Sequence, residues 1–122
     1  YLLKDGTGEF NYGDSRNVHI EKALKIMQNN VFSNLNLDSL SEKLKLNKSY
    51  FIRLFNSKMN ITPKQYYLNL KMEAASSLLT STSLPIYDIA DKLCFYSEFH
   101  FSKSFKQHKG VPPTEYRNNY RN

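Results

Sequence analysis

The stretch that decides the fold reads Leu40-x3-Leu44-x-Leu46-x4-Phe51-x3-Phe55-x5-Ile61-x-Pro63-x2-Tyr66, and the chain contains it twice. The second copy reads Ile89-x3-Leu93-x-Phe95-x5-Phe101-x3-Phe105-x5-Val111-x-Pro113-x2-Tyr116. The offset is 49 residues up to Phe95 and 50 afterwards, so the second copy carries one extra residue in its turn. Apolar, aromatic and proline positions recurring in this order point to a duplicated helical unit. Two copies fall short of the three or so that a solenoid needs.

Within each copy the spacing sets the local structure. Asn36 is placed to cap a short helix from Leu37, with Asp38 favourable in its first turn. Leu37, Leu40 and Leu44 then share one face. That helix must stop near Lys45-Leu46-Asn47, and Asn47 caps a second helix with Tyr50, Phe51, Leu54 and Phe55 inward. A short helix, a tight turn and a longer helix make the plan of a helix-turn-helix. In the second copy Pro85 opens the short helix, Ile86, Ile89 and Leu93 line it, and Ser97 caps the longer helix carrying Phe101 and Phe105.

Working outward, Thr62-Pro63-Lys64-Gln65 reads as a capping box with Pro at the first helical position. The helix it opens runs to about Thr80, with Tyr66, Tyr67, Leu70, Ala74, Leu78 and Leu79 as its apolar stripe. At 1.5 Å per residue such a rod is roughly 27 Å long. That length suits two recognition helices set about one DNA turn, roughly 34 Å, apart. Val18, Ala23, Ile26, Met27 and Val31 predict a first helix over about 17–29 packed on the first unit. A short helix with Tyr116 follows Pro112-Pro113. The expected organisation is all-α, about seven helices, homeodomain-like: 1–16 a linker or tail of a missing N-terminal domain, 17–61 the first helix-turn-helix subdomain, 62–81 a linker helix, 82–122 the second subdomain.

The chain has 122 residues with 17 Lys+Arg against 11 Asp+Glu, a net charge of +6. Residues 1–16 hold a net −1, so the remainder holds +7. Lys48, Arg53, Lys58 and Lys64 fall in one segment without an acid, and Lys103, Lys106 and Lys109 in another with Glu98 alone. Two separated basic segments are the footprint of a polyanion-binding surface. With Phe51 and Phe55 inside, Ser49, Ile52, Arg53 and Asn56 point out. With Phe101 and Phe105 inside, Phe99, Ser102, Lys103 and Lys106 point out. Both units therefore present a cation at the same outward position, Arg53 and Lys103, suited to the guanine acceptor pair in a major groove. Outward Ile52 and Phe99 suit thymine methyls. Lys48, Lys58, Lys64, Lys106 and Lys109 are phosphate candidates; about six neutralised phosphates give a log-affinity slope against log salt near −5.

The segments 47–55 (Asn-Lys-Ser-Tyr-Phe-Ile-Arg-Leu-Phe), 86–90 (Ile-Tyr-Asp-Ile-Ala), 101–106 (Phe-Ser-Lys-Ser-Phe-Lys) and 110–117 (Gly-Val-Pro-Pro-Thr-Glu-Tyr-Arg) resemble the AraC/XylS family of bacterial transcription regulators. The last segment resembles the family's C-terminal signature, and the resemblance covers about Val18 to Arg117. It implies a seven-helix domain with two helix-turn-helix units, bound to two adjacent major-groove segments of promoter DNA. It implies base readers at Ser49, Ile52 and Arg53, then at Glu98, Phe99 and Lys103. It also implies a preceding effector or dimerisation domain, RNA polymerase as a partner, and a bacterial cytoplasmic, nucleoid-associated location. The chain departs from the family at the turn position often filled by Gly, which is Lys45 in the first unit and Cys94 in the second. Lys103 stands for the more usual Arg, and Glu98 adds a negative charge near the groove.

Other classes fit less well. One Cys leaves no disulfide framework and no multi-Cys zinc site. An enzyme would have to use Cys94 with His19, His100 or His108, but Cys94 reads as a packed thiol, and no Gly-rich phosphate loop is present. No cofactor and no metal are expected, and the chain is read as a non-enzyme. A helical protein-interaction or RNA-binding module is the alternative, using nine Tyr and eight Phe for stacking. Most of these, Tyr50, Phe51, Phe55, Tyr66, Phe101, Phe105 and Tyr116 among them, sit at core spacing instead. No apolar run spans a membrane. A chain opening on Tyr1-Leu2-Leu3 reads as part of a longer cytosolic protein, and as a monomer by itself.

Overall fold

The computed structural model describes residues 15–121; the linker expected at 1–16 lies almost wholly outside them. Seven helices follow one another: α1 (Ser15–Asn29), α2 (Leu37–Leu44), α3 (Lys48–Met59), α4 (Pro63–Ser81), α5 (Ile86–Lys92), α6 (Glu98–Lys109) and α7 (Pro113–Tyr120). No strand occurs among the described residues. The chain divides into two compact units, the first containing 36–63 and the residues up to Asn29, the second containing 30–35 and the residues from Lys64 onward.

In the first unit α1, α2 and α3 pack mutually. Its buried apolar residues are Ile20, Ala23 and Met27 of α1, Leu40 and Leu44 of α2, and Phe51, Leu54 and Phe55 of α3. Phe51 and Phe55 meet edge to face at 5.8 Å, one turn apart. The expected rotation of α1 needs correcting. Val18 is exposed and Ile20 is fully buried, because the inward stripe runs through Ile20, Ala23 and Met27. Val31 is not part of α1; it packs on the core of the second unit.

That second core joins Met72, Ala75 and Leu79 of α4 to Ile89, Ala90 and Leu93, and to Phe101 and Phe105 of α6. Phe95, Phe101, Phe105, Tyr116 and Tyr120 form a run of aromatic contacts, with centroids 4.6–5.9 Å apart. The stripe expected on α4 is also turned. Leu70, Ala74 and Leu78 are only half-buried, whereas Met72, Ala75, Ser76 and Leu79 are buried. The reason is that Met72, Ala75 and Leu79 form the stripe packed with Ile89, Leu93, Phe101 and Phe105, and beside it Lys71 is a buried cation on the same helix.

Lys71 Nζ donates to three backbone carbonyls, those of Val31 (2.7 Å), Ser33 (2.9 Å) and Leu93 (2.8 Å). Three acceptors match the three donors of an ammonium, so the buried charge is fully hydrogen-bonded. The ammonium also lies 4.8 Å from the Tyr67 ring centroid. Tyr67 works on the same loop. Its hydroxyl is 2.7 Å from both Asn30 O and Ser33 O, and its one proton serves one of them at a time. The same oxygen accepts the Leu35 amide at 3.2 Å. Loop 30–35 thus gains its hydrogen bonds from α4 side chains more than thirty residues away. Burial lowers the Lys71 pKa and raises that of Tyr67. At the far end of α4, Arg117 of α7 donates to Leu79 O (2.9 Å) and Thr82 O (3.2 Å), satisfying carbonyls that a helix end leaves free.

Candidate nucleic-acid interface

Each unit builds its second helix by the same local devices. In the first, Lys45 takes a left-handed conformation, φ 58. Its amide donates to Glu42 O and the Leu46 amide to Ser41 O, both at 3.0 Å. This paired closure ends α2 and turns the chain. Asn47, extended, then caps α3 by accepting the Tyr50 amide at 3.1 Å. In the second, Cys94 has φ 62, its amide donates to Asp91 O, and the Phe95 amide donates to Ala90 O, again at 3.0 Å. Ser97 Oγ accepts the His100 amide at 3.1 Å. The turn residues that replace glycine therefore adopt the strained conformation rather than a different turn.

The caps and the buried phenylalanines set the rotation of α3 and α6. Ser49, Arg53 and Asn56 are exposed on α3, and Ile52 is half-buried. Glu98, Phe99, Lys103 and Lys106 are exposed on α6, Phe99 at 77%. Each unit thus carries its three expected base readers in the first half of one helix: Ser49, Arg53, Phe99 and Lys103 face away from the buried phenylalanines, Ile52 sits half-buried on the flank, and Glu98 is exposed as the first residue of α6. Arg53, Lys103 and Lys106 hold no ion pair among the described residues. Lys58 is exposed in the last turn of α3 and Lys64 in the first turn of α4.

Two phosphate candidates are engaged within the protein. Lys48 pairs with Asp38 at 3.0 Å, both side chains remaining well exposed. Lys109 Nζ lies 2.7 Å from Glu73 Oε2 on α4, with His108 Nε2 at 3.7 Å from the same oxygen. The Lys109 hydrogen bond, helped by the charges of Lys109 and His108, lowers the Glu73 pKa.

Two expectations fail here. Tyr50 is exposed rather than inward, since an inward stripe through Phe51, Leu54 and Phe55 leaves its position on the shoulder of α3. Cys94 is exposed rather than packed, because the left-handed turn swings its side chain outward. Its Sγ lies 3.6 Å from Phe32 O. Tyr66 and Tyr116 are half-buried, short of full core positions. Sequence reasoning missed Glu73 and Lys71, whose partners lie more than twenty residues away. No group of three or more His, Cys, Asp or Glu suited to a metal occurs among the described residues. Nor is any described helix long and apolar enough to cross a membrane.

Comparison with known proteins agrees with this geometry. Residues 40–119 match the helix-turn-helix domain family. The Msm operon regulatory protein of Streptococcus mutans is 29% identical over 108 residues, which are 88% of this chain and 39% of that protein. The chain therefore spans well under half the length of this relative. Among solved structures, the C-terminal domain of AraT, a response regulator from Geobacillus stearothermophilus, is similar with a TM-score of 0.82 at 30% identity, covering 85% of this chain and 87% of that one. A transcriptional regulator of the AraC-type DNA-binding class from Chromobacterium violaceum gives 0.80 at 28%, covering 90% and 96%. The chain belongs to the AraC-type helix-turn-helix family of sequence-specific DNA-binding domains.

Proposed function

We propose that this chain is the DNA-binding part of a bacterial transcription regulator, with α3 and α6 each entering a major-groove segment of promoter DNA. It is read as a binding protein and not an enzyme. The observation that carries the reading is the repeated arrangement of Arg53 and Lys103, exposed cations at the same position of two capped helices that each follow a tight turn. Ser49, Ile52 and Arg53 read bases from α3, and Glu98, Phe99 and Lys103 read them from α6. Lys48, Lys58, Lys64, Lys106 and Lys109 meet phosphates, Lys48 and Lys109 after giving up Asp38 and Glu73. Partners expected for the whole protein are RNA polymerase and an effector or dimerisation domain joined to this one, in the bacterial cytoplasm.

The test is selection of bound sequences from a random duplex library, repeated with Arg53→Ala and Lys103→Ala. A two-part motif that loses one part in each variant supports the assignment. Recovery of no motif, with binding that vanishes at moderate salt, would mean backbone binding alone.

A further inference from the structure

The turns before the two recognition helices differ by one residue, and the structure identifies it. Leu46 and Phe95 play the same part, each amide closing the end of the preceding helix. Asn47 and Ser97 play the same part, each side chain accepting the amide three residues on. Between Phe95 and Ser97 stands Tyr96, for which the first unit has no counterpart. The turn closes without it, so local geometry does not account for a tyrosine there. Its side chain is 95% exposed, more than any other exposed large apolar residue described. Its hydroxyl has no hydrogen-bond partner among the described residues. Phe99, three residues on, is 77% exposed, so the start of α6 carries two exposed aromatic residues rather than one.

We propose that Tyr96 is a DNA-backbone contact particular to the second unit, its hydroxyl donating to a phosphate oxygen at the edge of the groove that α6 enters. The proposal rests on the reading of α6 as a recognition helix. The chemistry suits the occupant: a phenol is a neutral donor of the kind found on DNA phosphates, and its ring can cover the adjoining sugar. The exposed cations Lys103 and Lys106 on α6 supply positive charge that favours a polyanion beside this helix. A cation at this end could be taken up by Glu98 in the first turn of α6, as Lys48 is by Asp38 in the first unit, whereas a neutral phenol keeps its proton for the phosphate. A neutral contact releases no counterion, and this separates Tyr96 from every lysine of the interface.

The experiment measures affinity of the 122-residue chain for a selected duplex and for a scrambled one across a salt series, with Tyr96→Phe, Tyr96→Ala and Lys106→Ala. Tyr96→Phe should weaken both duplexes alike, by about three- to tenfold, with the salt slope unchanged. Tyr96→Ala should lose at least as much, with no change in melting temperature. Lys106→Ala should lower the slope by about 0.9. One neutral methylphosphonate in the duplex should reproduce the Tyr96→Phe loss and add nothing to it. Wild-type affinity in both Tyr96 variants would overturn the proposal, including the case where promoter activation is lost, which would assign Tyr96 to a protein contact. A loss confined to the selected duplex would also overturn it, in favour of base reading. If the unaltered chain prefers no duplex, the reading of α6 fails first.

Discussion

The two helix-turn-helix units reach one backbone geometry through different residues. Lys45 and Cys94 share neither charge nor size, yet their φ values are 58 and 62 and their hydrogen bonds coincide. The turn is therefore imposed by the need to satisfy the last carbonyls of the short helix and to re-aim the chain, not by the side chain at its centre. Where the units diverge is in charge. The first turn of α3 opens on Lys48, neutralised by Asp38, whereas that of α6 opens on Glu98. A carboxylate at a helix N-terminus favours the free helix but opposes an approaching phosphate. The start of α3 thus carries a cation already paired with a carboxylate, and the start of α6 a carboxylate that favours the helix.

The largest effect that can break the comparison lies in the second unit alone. Lys71→Met should cost about 2–4 kcal/mol of stability, since it strands the Val31 and Leu93 carbonyls and leaves Ser33 O to the Tyr67 hydroxyl alone. Urea denaturation measures this, and an effect no larger than that of a surface lysine would remove Lys71 from the account of loop 30–35. Next, Arg53→Ala should cost about 1–3 kcal/mol of specific binding and relax selectivity locally, and Lys103→Ala should cost less. Competition binding on single-base variants of the selected duplex ranks the two; the reverse order would make the second unit the stricter reader.

Smaller again, Lys45→Gly should stabilise the fold by about 0.5–1 kcal/mol, relief of left-handed strain outweighing the entropy that glycine adds to the unfolded chain. Cys94→Gly should gain less, because it also removes the Sγ contact to Phe32 O. Equal melting temperatures in both variants and the parent would show the two turns unstrained.

The smallest effect concerns acid. The Glu73 pKa is lowered in the fold, so its contribution is present above the unfolded carboxylate range and is lost as pH falls through the folded value. Glu73→Gln should flatten that part of the stability profile. With the side chain 64% exposed, the change should stay below about 1 kcal/mol. The same variant frees Lys109 and should steepen the salt dependence of DNA binding slightly.

The sequence alone determined what is decided within a few residues: the caps Asn36, Asn47 and Ser97, the helix ends at Lys45 and Cys94, and the outward faces of α3 and α6. Each follows from hydrogen bonds spanning three to five positions or from the spacing of phenylalanines, and those relations are written in the chain order. Only the tertiary structure decided the rotation of α1 and α4, the membership of loop 30–35 in the second unit, the burial of Lys71 and the capture of Lys109 by Glu73. A lysine among apolar residues looks like surface until three carbonyls from residues 31, 33 and 93 converge on it. Those partners are twenty-two to forty residues away, and no local periodicity carries their position. Desolvation and hydrogen bonding at long sequence separation choose between faces that a helical pattern leaves equivalent.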